Sequence, residues 1–270
     1  MSSRSSACLL QIETYYDAVP RSAARVELIG TFTLFINAGA GWPYYARPTL
    51  GATSFHADDV RRVRARQREL GAPETFEWVA ETTPTLAAAA QAAGLAVTRH
   101  PLMLFDVNGA APPSAPIGVE VRLATVDDDL GLLDAIAGLS FSTPGTAVGA
   151  AGLDDARKMV KRDPALLAFR QERLRAGRTV TALALVGGQP VGVASHQPVG
   201  SVSEVVGMAV LPAFRRRGIA AALTTCLVND ALARGVHTIF LSAGDETIGR
   251  IYERVGFRQI GTACIAEPTA

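Results

Sequence analysis

A chain of 270 residues with a formal net charge of +1 is long enough for one large domain or two ordinary ones. Apolar residues make up 49% and charged residues 19%, which supports a packed core and excludes a disordered chain. So small a net charge supplies no field for nucleic acid or an anionic membrane surface, and no apolar run reaches the length of a membrane span.

Aromatic residues are only 6% of the chain, so the core must rest on aliphatic packing. Cys8, Cys226 and Cys264 lack metal-ligand spacing; no metal is expected, and the sparse, odd set suits a reducing compartment. Residues 1–6 lack the apolar run of a signal peptide, so a cytoplasmic location is the expectation.

In the front part, residues 24–37 read as β-structure broken at Gly30-Thr31, and residues 57–70 as a helix ended by Gly71. Residues 75–80 read as a strand, 85–93 as an alanine-rich helix closed by Gly94, and 95–107 as one more strand. Residues 108–118, with three prolines among small residues, read as a linker. The expected organisation is a domain over 1–107, the linker over 108–118 and a second domain over 119–270.

Past the linker the pattern sharpens. Residues 119–125 alternate as a strand, and Asp127, Asp128 and Asp129 sit where a helix start favours negative charge, with the helix running to about Phe141. Residues 153–176 are largely helical, with a break expected at Pro164. Strands at 179–186 and 190–197 flank Gly187-Gly188, a hairpin-type turn. A strand at 201–210, a helix at 217–234, a strand at 237–242 and a short helix at 247–255 follow, and a last strand closes the chain. The order predicts a mixed α/β sheet with helices on its faces.

One stretch carries chemistry. A strand ending at Val210 runs through Pro212 and Arg215-Arg216-Arg217 into Gly218 and then straight into a helix. A helix N-terminus has unpaired amides and partial positive charge, and a pyrophosphate suits it. Gly218 removes a side chain where a ligand would approach closely, and Ala220 keeps the next position small. Ile219, Leu223, Leu227 and Ala231 recur every four residues and give the helix a buried face. The bland alternative is an ordinary strand–loop–helix with a solvated arginine cluster.

Arg215-x-x-Gly218-x-Ala220 resembles the acetyl-CoA signature of the GNAT acetyltransferase superfamily, and Ile251-Tyr-Glu-Arg-Val-Gly-Phe257 resembles that family's second signature. The similarity spans about residues 119–266. It implies a GNAT-like fold in which acetyl-CoA is the cosubstrate. The backbone of Met208, Ala209 and Val210 would pair with the pantetheine arm, and Arg216, Arg217, Gly218, Ile219, Ala220 and Ala221 would cradle the pyrophosphate, with Arg215 adding cationic charge to the cofactor site. A bulge in the fourth strand, and its splay from the fifth, would open a slot for the thioester. Tyr252 would be the acid for the departing thiolate, with aromatic packing as the alternative.

Glu204 is the candidate base, acting directly or through a water. It is six residues before Val210, so regular alternation would put both side chains on one sheet face; the alternative is a half-exposed strand-end carboxylate. His196 is a substitute base or a satisfied structural histidine. Asp245, where many family members carry Asn, is an N-cap for the last helix with an open question over cofactor contact. Arg250 and Arg254 would meet the adenosine 3′-phosphate or form a solvated face.

The front part has no such cradle, yet its element order resembles a degenerate copy of the same half. The loop from Gly39 to Tyr45 would be a substrate wall or ordinary packing. The arginines between Arg61 and Arg68 would form a solvated helix face, with an anionic partner as the alternative. The expected activity is acetyl transfer from acetyl-CoA to a primary amine of a small molecule or peptide by direct attack. The alternative is an acyl-CoA sensor without chemistry. Nucleic acid and membrane are not expected partners; a homodimer is a candidate assembly.

Overall fold

The computed structural model describes residues 3–109 and 114–269. Residues 110–113 of the expected linker, residues 1 and 2 of the segment weighed as a leader, and Ala270 lie outside the described residues. The fold is mixed α/β and divides into two units, one holding residues up to Leu102 together with those from Gln259 onward, the other running from Met103 to Arg258.

The first unit opens with α1 (Ser3–Ala18), a helix without the strong periodicity that would mark it in the sequence. Strands β1 (Ala24–Ile29) and β2 (Phe32–Asn37) form an antiparallel hairpin, with Gly30 at φ +60° supplying the left-handed turn. A short strand, β3 (Ala46–Pro48), leads to α2 (Ala57–Glu69), β4 (Phe76–Val79), α3 (Leu86–Ala92) and β5 (Leu95–Phe105). Phe32, Phe76, Trp78, Leu86 and Cys264 build its core. Arg47 is buried beneath the Tyr16 ring, 4.1 Å from the ring centre, and bonded to Glu13 at 3.1 Å, so a core charge is paired rather than orphaned.

The second unit begins with the end of β5 and β6 (Val119–Leu123), followed by α4 (Leu130–Phe141), capped by Asp129 accepting from the Leu132 amide at 3.1 Å. The expected helix over 153–176 is two helices, α5 (Leu153–Lys158) and α6 (Pro164–Arg175), because Asp163 caps a new start and Pro164 takes the position that needs no amide donor. Strands β7 (Val180–Val186), β8 (Gln189–Val199) and β9 (Val202–Val210) form an antiparallel meander. Then come α7 (Ile219–Ala233), β10 (Thr238–Ser242), α8 (Glu246–Glu253) and β11 (Phe257–Pro268). Strand order in this unit is β10-β9-β8-β7-β6.

The unit division differs from the expected organisation at both ends. It falls at Met103 inside β5 rather than at the proline-rich segment, and residues from Gln259 onward belong to the first unit. The reason is pairing: Ala263, Cys264, Ile265 and Ala266 of β11 lie antiparallel against Val79, Trp78, Glu77 and Phe76 of β4. A strand's partner lies far away in sequence, and local composition does not show it.

Candidate functional site

The site is built around β9. Between β8 and β9 the register runs from Ser195 opposite Val206 to Val193 opposite Ala209, so β9 carries one residue more than β8 over that step. Gly207, at φ +65°, takes the left-handed conformation that such a bulge requires. The bulge reverses alternation. Glu204, Val206 and Ala209 share one face, while Val205 and Val210 lie on the other, which is covered by α7. The expectation that Glu204 and Val210 share a face is therefore corrected: regular alternation does not survive an inserted residue.

On its other edge β9 pairs in parallel with β10 at only three positions, Val202–Thr238, Ser203–Ile239 and Glu204–Phe240. Both strands continue beyond that point, β9 to Val210 and β10 to Ser242, without further rungs. The splay leaves that edge of β9, through Met208, Ala209 and Val210, without a rung to β10. Glu204 stands at the fork, half-buried, on the face away from α7.

From Val210 the chain passes a 3-10 turn at Pro212–Phe214 and enters the arginine triplet. Arg216 lies at φ +62° and Gly218 at φ +75°, so two left-handed residues bracket Arg217 and turn successive amides to one side. Gly218 is the N-cap of α7 and supplies no side-chain cap, and the first turn of α7 has no acidic residue. The amides of the first turn are thus open to an anion. A Cβ at Gly218 would lie 3.0 Å from the Pro116 Cγ, so a side chain there would crowd the proline ring as well as strain the backbone at positive φ. Ile219, Leu223, Leu227 and Ala231 are all buried, as their spacing implied, and anchor this helix on the sheet.

The three arginines divide by role. Arg216 and Arg217 are exposed, with the Arg217 guanidinium 5.1 Å from the Phe214 ring centre. Arg215 instead turns inward. It donates to the carbonyls of Val210 (3.2 Å), Ser140 (3.0 Å), Thr143 (2.7 Å) and Ala147 (3.4 Å). A guanidinium committed to four backbone oxygens is part of the scaffold, so the geometry gives the Arg215 side chain a different task from the expected one of adding charge at the cofactor site. Residues 142–151, to which the sequence reading assigned no role, are what it holds.

Tyr252 is buried in α8, its ring edge-on to Phe257 at 6.0 Å. Burial pushes its phenol up to about 12, and among the described residues its hydroxyl has no hydrogen-bond partner. Asp245 caps α8 by accepting from the Ile248 amide at 2.7 Å, and Arg250 and Arg254 lie exposed on that helix or at its end. His196 is fully buried: Nδ1 meets Ser203 Oγ at 2.8 Å and Nε2 meets Asp230 at 2.9 Å, while Arg234 pairs with the same carboxylate. Burial lowers its pKa. Serine, histidine and aspartate stand here in triad order, yet Ser203 is sealed from solvent, so the arrangement ties β8, β9 and α7 together.

In the first unit the counterpart loop leads into α2, whose start is closed by its own chain: the His56 amide donates to Asp59 at 3.2 Å, and Asp58 adds a second negative charge. The arginines of α2 are each ion-paired, Arg61 to Asp58, Arg62 to Asp59, Arg64 and Arg68 to Glu74, and Arg66 to Glu27 and Glu69. In the Gly39 to Tyr45 loop, Trp42 is exposed and Tyr45 packs edge-on against Phe35. Among the described residues, no group of three His, Cys, Asp or Glu side chains could hold a metal, and no helix is long and apolar enough to cross a membrane.

The model of the acetyltransferase (GNAT) family matches residues 150–257, which contain the bulged strand, the cradle and Tyr252. The chain carries a GNAT acetyltransferase domain. Solved structures extend the GNAT likeness beyond that stretch. A GCN5-related N-acetyltransferase from Kribbella flavida is 21% identical with a TM-score of 0.74, over 97% of this chain and 96% of that one. A GCN5-related N-acetyltransferase from Sphaerobacter thermophilus is 16% identical with a TM-score of 0.61, over 94% and 86%. A tandem GNAT protein from the clavulanic acid biosynthesis pathway is 15% identical with a TM-score of 0.56, over 89% and 80%. At such identities the likeness is one of fold, and it takes in the front unit as well as the GNAT domain. No curated protein matches the chain.

Proposed function

We propose that the GNAT domain transfers an acetyl group from acetyl-CoA to a primary amine by direct attack. The observation that carries this reading is the forked strand: β9 is bulged at Gly207, parts from β10 at Glu204, and runs into an uncapped helix start at Gly218. The residues present fit a coenzyme A. The free edge at Met208, Ala209 and Val210 would accept an extended amide-bearing arm as an added strand. The amides of residues 216–221 would take the pyrophosphate, with Arg216 and Arg217 adding exposed positive charge. Bound there, acetyl-CoA would supply an activated acyl thioester.

The chain's own groups then have distinct tasks. Tyr252 keeps its proton throughout the neutral range, because burial disfavours the phenolate, and it is the proton donor to the leaving sulfur. Glu204, at the fork, accepts the proton from the attacking amine, directly or through a water. Asp245 keeps α8 in place by capping it, and any direct contact with the cofactor is secondary to that. The test is thiol release from acetyl-CoA across an amine panel, with coenzyme A binding measured by calorimetry. Tight binding without turnover of any amine would favour an acyl-CoA sensor; absence of binding would sink the reading altogether.

A further inference from the structure

Residues 140–152, from the end of α4 to the start of α5, contain no charged side chain and are rich in Gly, Ala, Ser and Thr. Such a segment has little side-chain means of fixing itself, and its backbone entropy favours many conformations. It is instead held through its main chain. The Gly149 amide donates to the Pro212 carbonyl at 3.1 Å, and the Ala213 amide donates to the Ala151 carbonyl at 3.0 Å. A Cβ at Gly149 would lie 3.1 Å from the Pro212 Cβ, so the segment packs tightly against the turn that follows β9. The Arg215 guanidinium completes the attachment, spanning Val210 at the end of β9 and Ser140, Thr143 and Ala147.

We propose that Arg215 is a positioning residue that clamps residues 142–151 beside the end of β9, where they form one wall of the acceptor side of the acyl slot. The proposal rests on the acetyltransferase reading for the word acceptor, whereas the clamp itself rests on the hydrogen bonds alone. Arg215 lies inside the motif that signals pyrophosphate binding, yet its guanidinium acts on the neighbouring segment. The donor cradle and the acceptor wall are thereby joined through one side chain.

The full chain is compared with Arg215→Met and Arg215→Lys by hydrogen–deuterium exchange, by calorimetry with coenzyme A, and by thiol release from acetyl-CoA with the amine panel. In both variants, amides of residues 142–151 exchange at least tenfold faster while peptides from β7 and β8 keep their protection. The Kd for coenzyme A stays within threefold. The KM for amine rises at least fivefold while the KM for acetyl-CoA stays within twofold, a split that general loosening of the fold would not produce. Unchanged exchange in the segment overturns the proposal. So does a tenfold loss of coenzyme A affinity in Arg215→Met that is restored in Arg215→Lys, because charge alone would then be what matters. If Arg215→Met fails to fold, Arg215→Lys carries the comparison. A wild-type chain that binds no coenzyme A refutes the acetyltransferase reading, and the exchange data still decide the clamp.

Discussion

Replacing Tyr252 by Phe separates chemistry from packing more cleanly than any other change in the site. The ring is 7% exposed and packs edge-on against Phe257, and Phe fills the same volume. The hydroxyl has no partner among the described residues, so deleting it strands no donor or acceptor, and stability at neutral pH should change by less than about 1 kcal/mol. Burial lifts the phenol from its ordinary value of 10.0 to about 12. That shift disfavours the phenolate by about 2.7 kcal/mol and leaves roughly one part in ten thousand ionised at pH 8. At neutral pH Tyr252 therefore keeps its proton, as the proposed acid must. Without it, kcat for thiol release should fall by about 10²–10⁴-fold, the usual contribution of a positioned acid. The sign for stability follows from the same shift. The folded state holds the proton more tightly than the unfolded chain, so this contribution is complete below pH 10 and is lost as pH rises towards about 12. Tyr252→Phe should remove that alkaline loss. Thiol-release kinetics and denaturant titrations from pH 7 to 11 measure both effects. Turnover within twofold of wild type, in a variant of unchanged stability, would refute the assignment of Tyr252 as acid.

Three other substitutions probe the rest of the site. Glu204→Gln should lower kcat/KM by about 10–100-fold, because the amine would lose its proposed proton acceptor; a kcat/KM within twofold of wild type would return Glu204 to a strand-end carboxylate. Gly218→Val should weaken coenzyme A binding by at least about tenfold in calorimetry, since φ +75° and the Pro116 contact leave a β-branched residue no relaxed position. His196→Gln should alter acid stability: the buried imidazole has a lowered pKa, so its stabilisation is complete above the unfolded value of about 6.5 and lost as pH falls through the folded one. Urea midpoints between pH 4 and 8 should drop less steeply in the variant, and an identical slope would rule out His196 as the group responsible.

What the sequence disclosed depended on how local each signal is. The strand–loop–helix at Gly218 was legible because its parts are neighbours: the strand, the loop, Gly218 and the four-residue spacing of α7 all lie within one stretch. Asp245 and the break at Pro164 were legible because capping and proline chemistry act over three or four residues. The face of Glu204 was misjudged because one inserted residue at Gly207 reverses alternation, and a glycine in a strand does not announce which way it bends. The inward turn of Arg215 was not legible because three consecutive arginines look alike until the backbone turns one inward. The helix α1 and strand β3 escaped notice since neither carries a clear period of its own.

The last strand has a consequence for how the chain is made. Residues 259–268 supply a β-strand to the unit that begins at the N-terminus, yet they are translated about 160 residues after Leu102, which at 5–20 residues per second is on the order of 10–30 s later. Throughout that interval the strand that pairs with the β4 edge in the folded chain has not yet been made, while the residues of the GNAT domain are already emerging. The front unit is thus begun before the GNAT domain and completed after it, and a fragment ending at the proline-rich segment would lack the strand that closes this unit.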